Sequence, residues 1–542
     1  MIIAADRYRH VLLGIVVLGA VLRIMGLNWD AGRGLHPDEG NLIRAALTLG
    51  VNGRMLPEFH AYNDLALWLP RLLSVPFCAS DNAACLTLVA RALSAALSLA
   101  MVPLGAGLAM RMAGPVAGLA AALALATSGQ LIQWAHFGTT ESAIAMMVLL
   151  LWWLAARWQA GEMPDRHMAV WSAMVLGIGF GFKTTAVVLS IIPLMAFALA
   201  GRPDAARLRT ILAFGAIAAV QAVAFAPSVI FATRAWLDVM DFENSVVTGS
   251  LPVFWTAQFH GTTDILYELS QLWSLTSGAG VLLAVVGLIL LPRTQWRIVA
   301  PGLAFALVYA ALTFGWHAKF IRYLAPLLPV VLVLGGVALG RLATLTLGRT
   351  GFAVGLAGLG LMVLAGLDSA AAYLRPDPRI AVETQLLALS SEGDVVAIEP
   401  RDLPQSGGLP QVVLPLNDAP LSLAEPLATA DWLLIASRRN YEVLPRQPGA
   451  APGLCAYYAG LADGSLGFVP VLRADRLGPL GRLFAPGLTA EETRTVFDRP
   501  EVFLFRNIDR LSAQDLDTRL RTPRDAEACD PQTLQRLWRR GP

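Results

Sequence analysis

The sequence predicts an all-α polytopic membrane protein of about 11 transmembrane helices, with a C-terminal extracytoplasmic α/β domain. Three observations predict it. Of 542 residues, 56% are apolar and only 15% charged, against about 25% charged in a soluble domain. Apolar runs close to the ~20 residues that cross a bilayer fill the first 375 positions. From 376 onward prolines and charges rise and the apolar runs shorten. The same balance excludes a disordered chain, and a net charge of +2 gives no footing for nucleic-acid binding.

Taken in order, the predicted spans are 10–27, 86–110, 115–134, 140–158, 168–182, 184–200, 210–232, 272–291, 298–315, 323–340 and 351–374. In hydrocarbon the backbone must satisfy its own hydrogen bonds, which makes such runs helices. Their apolar residues do not alternate with a period of two, which excludes a transmembrane barrel. Arg23 and the lack of a small-x-small cleavage site mark the first run as an uncleaved anchor, not a signal peptide. With the N-terminus cytoplasmic, every inside loop carries arginine, among them Arg7, Arg111, Arg157, Arg207, Arg297 and Arg341. The odd number of spans then places the chain after 375 outside.

Two long outer connections result, 28–85 and 233–271. The first holds an amphipathic stretch, 38–50, with Leu42, Ala45, Ala46 and Leu49 on one face, the pattern of a helix lying in the interface. The chain thus divides into a transmembrane module, 1–375, and an outer domain, 376–542. In the latter, 394–398, 432–436 and 502–505 read as buried strands between helical pieces. All four cysteines fall outside, where disulfides are permitted. Cys78–Cys85 with Cys455–Cys529 is the preferred of three connectivities, and free buried thiols are the alternative.

Ionisable groups next to hydrocarbon are functional candidates, and several gather at the outer edge. His36-Pro37-Asp38-Glu39 opens the interfacial helix, with proline suited to its first turn and the carboxylates to its positive end. Glu141 opens the fourth span, after His136. Lys183 sits between two apolar runs, and Lys319, Arg322 and Tyr323 precede the tenth span. Of 41 Lys and Arg residues, only Lys183 and Lys319 are lysines, and both lie on this edge. Each has a structural alternative: helix capping for the carboxylates, an interfacial ring for His136, snorkelling for Lys183, and headgroup anchoring for the group from 319 to 323. Together they suit one chemistry. Lysine and arginine would neutralise a departing lipid phosphate while a carboxylate takes the proton of an attacking hydroxyl. No nucleotide-binding glycine motif is present.

Leu22-Arg23-Ile24-Met25-Gly26-Leu27 followed by His36-Pro37-Asp38-Glu39-Gly40 resembles the start of bacterial GT-C glycosyltransferases. These polyprenol-phosphate-sugar-dependent enzymes are related to protein O-mannosyltransferases and the lipid A aminoarabinose transferase. The segments around His136–Glu141 and Lys183 are similar to further stretches of that group, as is Lys319-Phe320-Ile321-Arg322-Tyr323-Leu324-Ala325-Pro326. Phe497-Asp498-Arg499-Pro500-Glu501-Val502-Phe503-Leu504-Phe505 resembles its extracytoplasmic tail, with Arg499 where histidine is more usual.

The resemblance implies a GT-C fold and a polyprenyl-phosphate-linked sugar donor. It implies an acceptor that is lipid, glycan or protein, a bacterial inner-membrane location with the C-terminal domain periplasmic, and inversion at the anomeric carbon. Asp38 would be the catalytic carboxylate, with Glu39 beside it and Glu141 as the second acidic site, where aspartate is more common. Lys183, Lys319, Arg322, Tyr323, His36, His136 and Tyr62 would bind substrate. Tyr62-Asn63-Asp64-Leu65 stands where the aminoarabinose transferases carry a Lys-Pro-Pro element. No cofactor is required, no metal site is assigned, and a divalent cation is allowed but not implied.

The rival reading is a lipid-linked sugar transporter or flippase. It calls for internal repeats and ionisable or helix-breaking residues at the midplane, whereas here the charges cluster at one edge and no repeat is evident. A channel lacks its ring of pore charges. The Trp-Trp-Asp signature of oligosaccharyltransferases is absent, since Trp152-Trp153 is followed by Leu154.

Overall fold

The computed structural model describes residues 5–201, 205–345, 348–416, 422–446, 452–484, 490–525, 528 and 530–538. The chain divides into two compact units. One comprises Met1–Asn28, Asp38–Leu251 and Thr263–Tyr373, and the other Trp29–Pro37, Pro252–Thr262 and Leu374–Pro542.

Among its described residues the regular elements of the first unit are all helices. Each apolar run of the sequence lies on helix, but the runs do not all reach spanning length. Among the described residues five helices are long and apolar enough to cross a membrane, or six if the pair Asp264–Leu275 and Ala279–Ile289, bent by 100°, is one span. The other predicted runs fall on helices that are kinked, shorter or more charged than these. Runs 86–110 and 115–134 fall on two helices within Ala83–Thr127, which meet at a kink at Ala113 and at Gly114, whose φ is +82°. A left-handed residue of that kind is open to glycine without penalty. Run 184–200 opens with a 3₁₀ stretch, Thr184–Ser190, leaving nine residues of α-helix, Ile191–Leu199. Run 323–340 likewise begins with a short 3₁₀ turn, and its helix, Leu328–Leu342, has 15 residues. The first helix, Ala5–Ile24, carries Asp6, Arg7, Arg9 and Arg23 within its 20 residues.

Small residues let these helices meet closely. A Cβ added at Gly336 would lie 2.6 Å from the Ala121 Cβ and 2.8 Å from the Ala117 carbonyl oxygen. Leu328–Leu342 thus packs its backbone on Ala83–Thr127, as membrane helices do when dispersion replaces the hydrophobic effect. Arg23 is buried inside the bundle. It donates from Nε to Ser98 Oγ at 2.9 Å and from its η nitrogens to the carbonyls of Ala126 and Leu125 at 2.8 and 2.9 Å, meeting the open carbonyls at the end of that helix. Ala205–Phe225, by contrast, exposes Leu208, Leu212 and Val220, an apolar face suited to lipid.

The second unit is built on a five-stranded sheet: β1 Val396–Ile398, β2 Gln411–Val413, β3 Trp432–Ile435, β4 Phe468–Ala474 and β5 Val502–Asn507, ordered β2-β1-β3-β5-β4. β1 runs parallel to β2 and β3, while β5 is antiparallel to β3 and β4. The central strands are buried on both faces. Leu433, Ile435, Phe503 and Phe505 join one core with Tyr441 and Trp538, while Trp432, Leu434, Val502 and Leu504 join the other with Val382 and Leu386. The period-two alternation that sorts these residues is why continuous apolar runs mark the strands in the sequence.

The disulfide Cys78–Cys85 is formed, with its Cα atoms 5.7 Å apart. The expected Cys455–Cys529 pairing falls outside the described residues, because Cys529 does.

Candidate active site

The interfacial helix of the sequence is Pro37–Thr48, which buries Leu42, Ile43 and Ala46 against Leu67, Leu86 and Ala90. Its first turn presents two adjacent carboxylates, and they part company. Successive helical residues point about 100° apart, so one faces the bundle and the other an opening. Asp38 pairs with Arg322, Oδ2 to Nη1 at 3.1 Å, and the side chains keep 27% and 26% of their surface exposed. Glu39 is sealed. Its carboxylate receives Arg91 Nη2 at 2.7 Å and Nε at 2.9 Å, together with the Gly138 backbone N–H at 2.5 Å, and both side chains are almost wholly buried.

A second loop meets this opening. Asn63 donates from Nδ2 to the Phe180 carbonyl at 2.5 Å and to Thr184 Oγ1 at 3.3 Å, while its Oδ1 receives the Trp236 indole N–H at 3.0 Å. Asp64 receives the Ser228 hydroxyl at 2.5 Å. These bonds tie Tyr62 to the break between helices Asp165–Phe182 and Ile191–Leu199, where Lys183 sits in extended backbone. Lys183 Nζ lies 5.9 Å from the ring centroids of both Tyr62 and Tyr323. Arg322 stacks on Phe320, 4.3 Å from its ring centroid, and lies 5.8 Å from that of Tyr323. Two cations thus stand among aromatic rings.

Glu141, buried at the start of helix Glu141–Gln159, acts electrostatically on Lys183, Arg322 and Tyr62. One further carboxylate, Glu243 on helix Thr233–Thr248, acts on Lys183, Tyr62 and Tyr323. Burial holds the Glu243 carboxyl above its ordinary value near 4.5, against the pull of Arg322 and Lys183. Burial, with Asp38 and Glu141, likewise lifts the Tyr62 phenol well above 10. The assembled group is Asp38, Tyr62, Glu141, Lys183, Glu243, Arg322 and Tyr323: two cations and three carboxylates, with Asp38 and Arg322 partly exposed.

Three residues expected in the site are engaged by other partners, and a fourth belongs to the second unit. Glu39 belongs to the Arg91 ion pair, as described. His136 is buried, its Nδ1 2.8 Å from the Ile132 carbonyl and its Nε2 2.9 Å from that of Met25, with its ring stacked 3.6 Å from Tyr373. Lys319 is buried against Asp264, Nζ to Oδ1 at 3.0 Å, and donates to the His317 carbonyl. His36 belongs to the second unit, its ring 4.2 Å from that of Phe497. For Glu39, His136 and Lys319 a local partner satisfies the polar group that marked the residue.

Arg91 and Glu243 escaped the sequence reading. Arg91 carried a signal, an arginine inside the apolar run 86–110, where an ionisable residue needs a partner. Glu243 carried little, standing near Asp238 and Asp241 in an outer segment that reads as a solvated helix. Among the described residues no group of three His, Cys, Asp or Glu side chains is placed to hold a metal ion.

No protein-family model and no curated protein matches the chain. Several solved structures are similar to it. The archaeal oligosaccharyltransferase AglB from Archaeoglobus fulgidus, solved with an inhibitory peptide and a dolichol-phosphate, aligns at 13% identity over 83% of this chain and 72% of its own, with a TM-score of 0.48. ArnT from Cupriavidus metallidurans bound to undecaprenyl phosphate aligns at 13% identity over 94% of this chain and 99% of its own, with a TM-score of 0.46. The arabinofuranosyltransferase AftD from Mycobacteria aligns at 16% identity over 94% of this chain and 40% of its own, with a TM-score of 0.43.

Proposed function

We propose that this chain is a membrane glycosyltransferase that moves a sugar from a polyprenyl-phosphate donor to a hydroxyl of a lipid, glycan or protein acceptor, with inversion. The reaction is placed at the outer face of a bacterial inner membrane. The observation that carries the reading is the partly exposed Asp38–Arg322 pair, 3.1 Å apart, with Lys183 held nearby between two tyrosine rings. Cations framed by aromatic rings suit an anion presented at headgroup level, and a carboxylate beside them suits a base. The resemblance of the Asp38, Glu141, Lys183 and Arg322 segments to GT-C enzymes supports the same assignment.

The donor phosphate competes with Asp38 for Arg322, so its binding frees the carboxylate. Asp38 then takes the hydroxyl proton of the acceptor as that oxygen bonds to the anomeric carbon. The bond between that carbon and the phosphate oxygen breaks on the opposite face. The leaving polyprenyl phosphate gains a negative charge, which Lys183 and Arg322 stabilise. General-base catalysis contributes about 10²–10⁴-fold, leaving much of the barrier to this stabilisation and to positioning.

The test is transfer itself. Purified protein is incubated with radiolabelled polyprenyl-phosphate sugars and membrane extract, and the label is followed. Movement of label onto lipid, glycan or protein supports the reading and identifies the acceptor class. Donor that crosses the bilayer with its sugar still attached overturns it in favour of a flippase.

A further inference from the structure

Glu243 is positioned by three contacts made from its own helix. Along Thr233–Thr248, Trp236, Met240, Glu243 and Val247 recur at spacings of four, three and four, which places them on one face. Trp236 donates to Asn63 Oδ1 at 3.0 Å, beside Tyr62. The Met240 sulfur receives the Thr184 hydroxyl at 3.6 Å, next to Lys183. The Val247 carbonyl receives the Ala318 N–H at 3.1 Å, four residues ahead of Arg322. Between the second and third of these anchors, Glu243 faces the cations. All four residues are partly buried, whereas Leu237, Asp238, Asp241, Phe242 and Asn244 are exposed on the other side. Of the acidic residues on this helix, Glu243 is the one turned inward.

We infer that Glu243 takes up a proton when a phosphodiester occupies Lys183 and Arg322, so that ligand binding at this site is proton-coupled. The inference rests on the donor-phosphate reading above and deepens it. The groups facing Glu243 are Lys183, Arg322, Asp38, Tyr62 and Tyr323. In the free protein the two cations favour the Glu243 carboxylate while burial opposes it. A bound phosphate engages both cations and adds a like charge beside them, and both changes favour the protonated acid. As a neutral acid Glu243 can also donate a hydrogen bond to a phosphate oxygen, which its carboxylate cannot.

The sign follows from linkage. The pKa of Glu243 rises on binding, so the affinity for the anion falls as pH climbs through the free-state value. It levels off above the bound-state value. Between the two, binding takes up as much as one proton and affinity falls by at most about tenfold per pH unit.

The experiment measures binding of the methyl diester of undecaprenyl phosphate to the full-length protein in detergent. A diester is chosen because a phosphate monoester itself titrates at about pH 6. Affinity is followed against pH, and proton uptake by calorimetry in buffers of different ionisation enthalpy. The wild type should weaken with rising pH and take up protons. Glu243→Gln, a neutral near-isostere, should bind with flat pH dependence and no uptake in that range, while Glu243→Asp should restore uptake. Thermal unfolding of each variant reports whether it is folded. Should Glu243→Gln be unfolded, uptake by Glu243→Asp with a shifted midpoint would support the inference, and uptake with an unshifted one would overturn it. Binding without uptake in the wild type overturns the inference and leaves the donor reading standing. Uptake that persists in folded Glu243→Gln assigns the proton to Asp38, Glu141 or Lys183 and also overturns it. Failure of the diester to bind at any pH overturns both.

Discussion

Asp38 and Glu39 are chain neighbours with the same functional group, and their surroundings give them opposite expectations. Asp38 is part-exposed beside Arg322, whereas Glu39 is enclosed with Arg91. Asp38→Asn retains the shape and, at the second position of the helix, gives up only a first-turn charge worth about 0.3–1 kcal/mol. It removes the oxygen that can accept a proton. Turnover should therefore fall by about 10²-fold or more while the lipid donor still binds and thermal stability changes little. Normal transfer by folded Asp38→Asn protein would move the base to Glu141 or Glu243. For Glu39 the effect should fall on stability instead. Glu39→Gln leaves the Arg91 guanidinium buried without a countercharge, a loss on the order of 3–5 kcal/mol. Its unfolding temperature should drop well below that of Asp38→Asn, and Glu39→Gln combined with Arg91→Met should recover part of the loss. A Glu39→Gln protein as stable as the wild type but unable to transfer sugar would return Glu39 to the chemistry.

Elements meet at this site through polar side chains that seal loop to helix. Asn63 bridges the Phe180 carbonyl, at the end of helix Asp165–Phe182, and the Trp236 indole on Thr233–Thr248. Asn63→Ala breaks both bonds and loosens Tyr62 against Lys183. Steady-state kinetics should show the donor KM rising by roughly tenfold with a smaller change in kcat, the signature of lost positioning. Equal losses in kcat and kcat/KM would instead give Asn63 a role in the transition state. Tyr62-Asn63-Asp64 stood out in the sequence only by its place in the family resemblance, because its partners lie more than a hundred residues away in the chain and periodicity carries no information about them. Segments whose burial is set by their own pattern were legible. The apolar runs became helices, and the strands near 396, 432 and 502 were found because both their faces are buried. β2 and β4 were missed for the converse reason. Gln411 and Val413 are exposed on an edge strand, and β4, also an edge, carries Pro470 with a register shift just beyond it. Edge strands tolerate polar residues and proline and so lose their apolar signature. Within the site, Asp38, Glu141, Lys183 and Arg322 were visible as charges beside hydrocarbon. The same signal also selected His136 and Lys319, because a charge satisfied by a local carbonyl or carboxylate is spelled the same way as one that awaits a ligand.

Across the helical unit, charges sort to the two ends of shared helices. Glu141 begins a 19-residue helix and Arg157 lies in its last turn, about 24 Å further along the axis. At that far end Glu162 receives both η nitrogens of Arg111 at 2.7 and 2.8 Å and Nε of Arg157 at 3.0 Å. Asp165 receives the Trp158 indole at 3.0 Å and pairs with Arg207 at 3.6 Å. Asp165 in turn opens the helix that ends beside Lys183. Three arginines from loops assigned to the cytoplasm therefore gather around two carboxylates, while Glu141 and Lys183 stand at the opposite ends of the same two helices. If arginine-bearing loops are retained inside, as the positive-inside rule holds, the proposed sugar-transfer site lies outside. The helix Gly348–Ala371 starts against Leu342 and reaches Thr127 at Gly366, so the chain that follows it should also be outside. Single cysteines tested with a membrane-impermeant thiol reagent check both ends at once. A cysteine near Arg207 should react only after the inner membrane is permeabilised, and one at the exposed Pro376 should react in intact spheroplasts. The reverse pattern would put the Asp38–Arg322 pair on the cytoplasmic face, where nucleotide sugars are available and a lipid-linked donor confers no advantage.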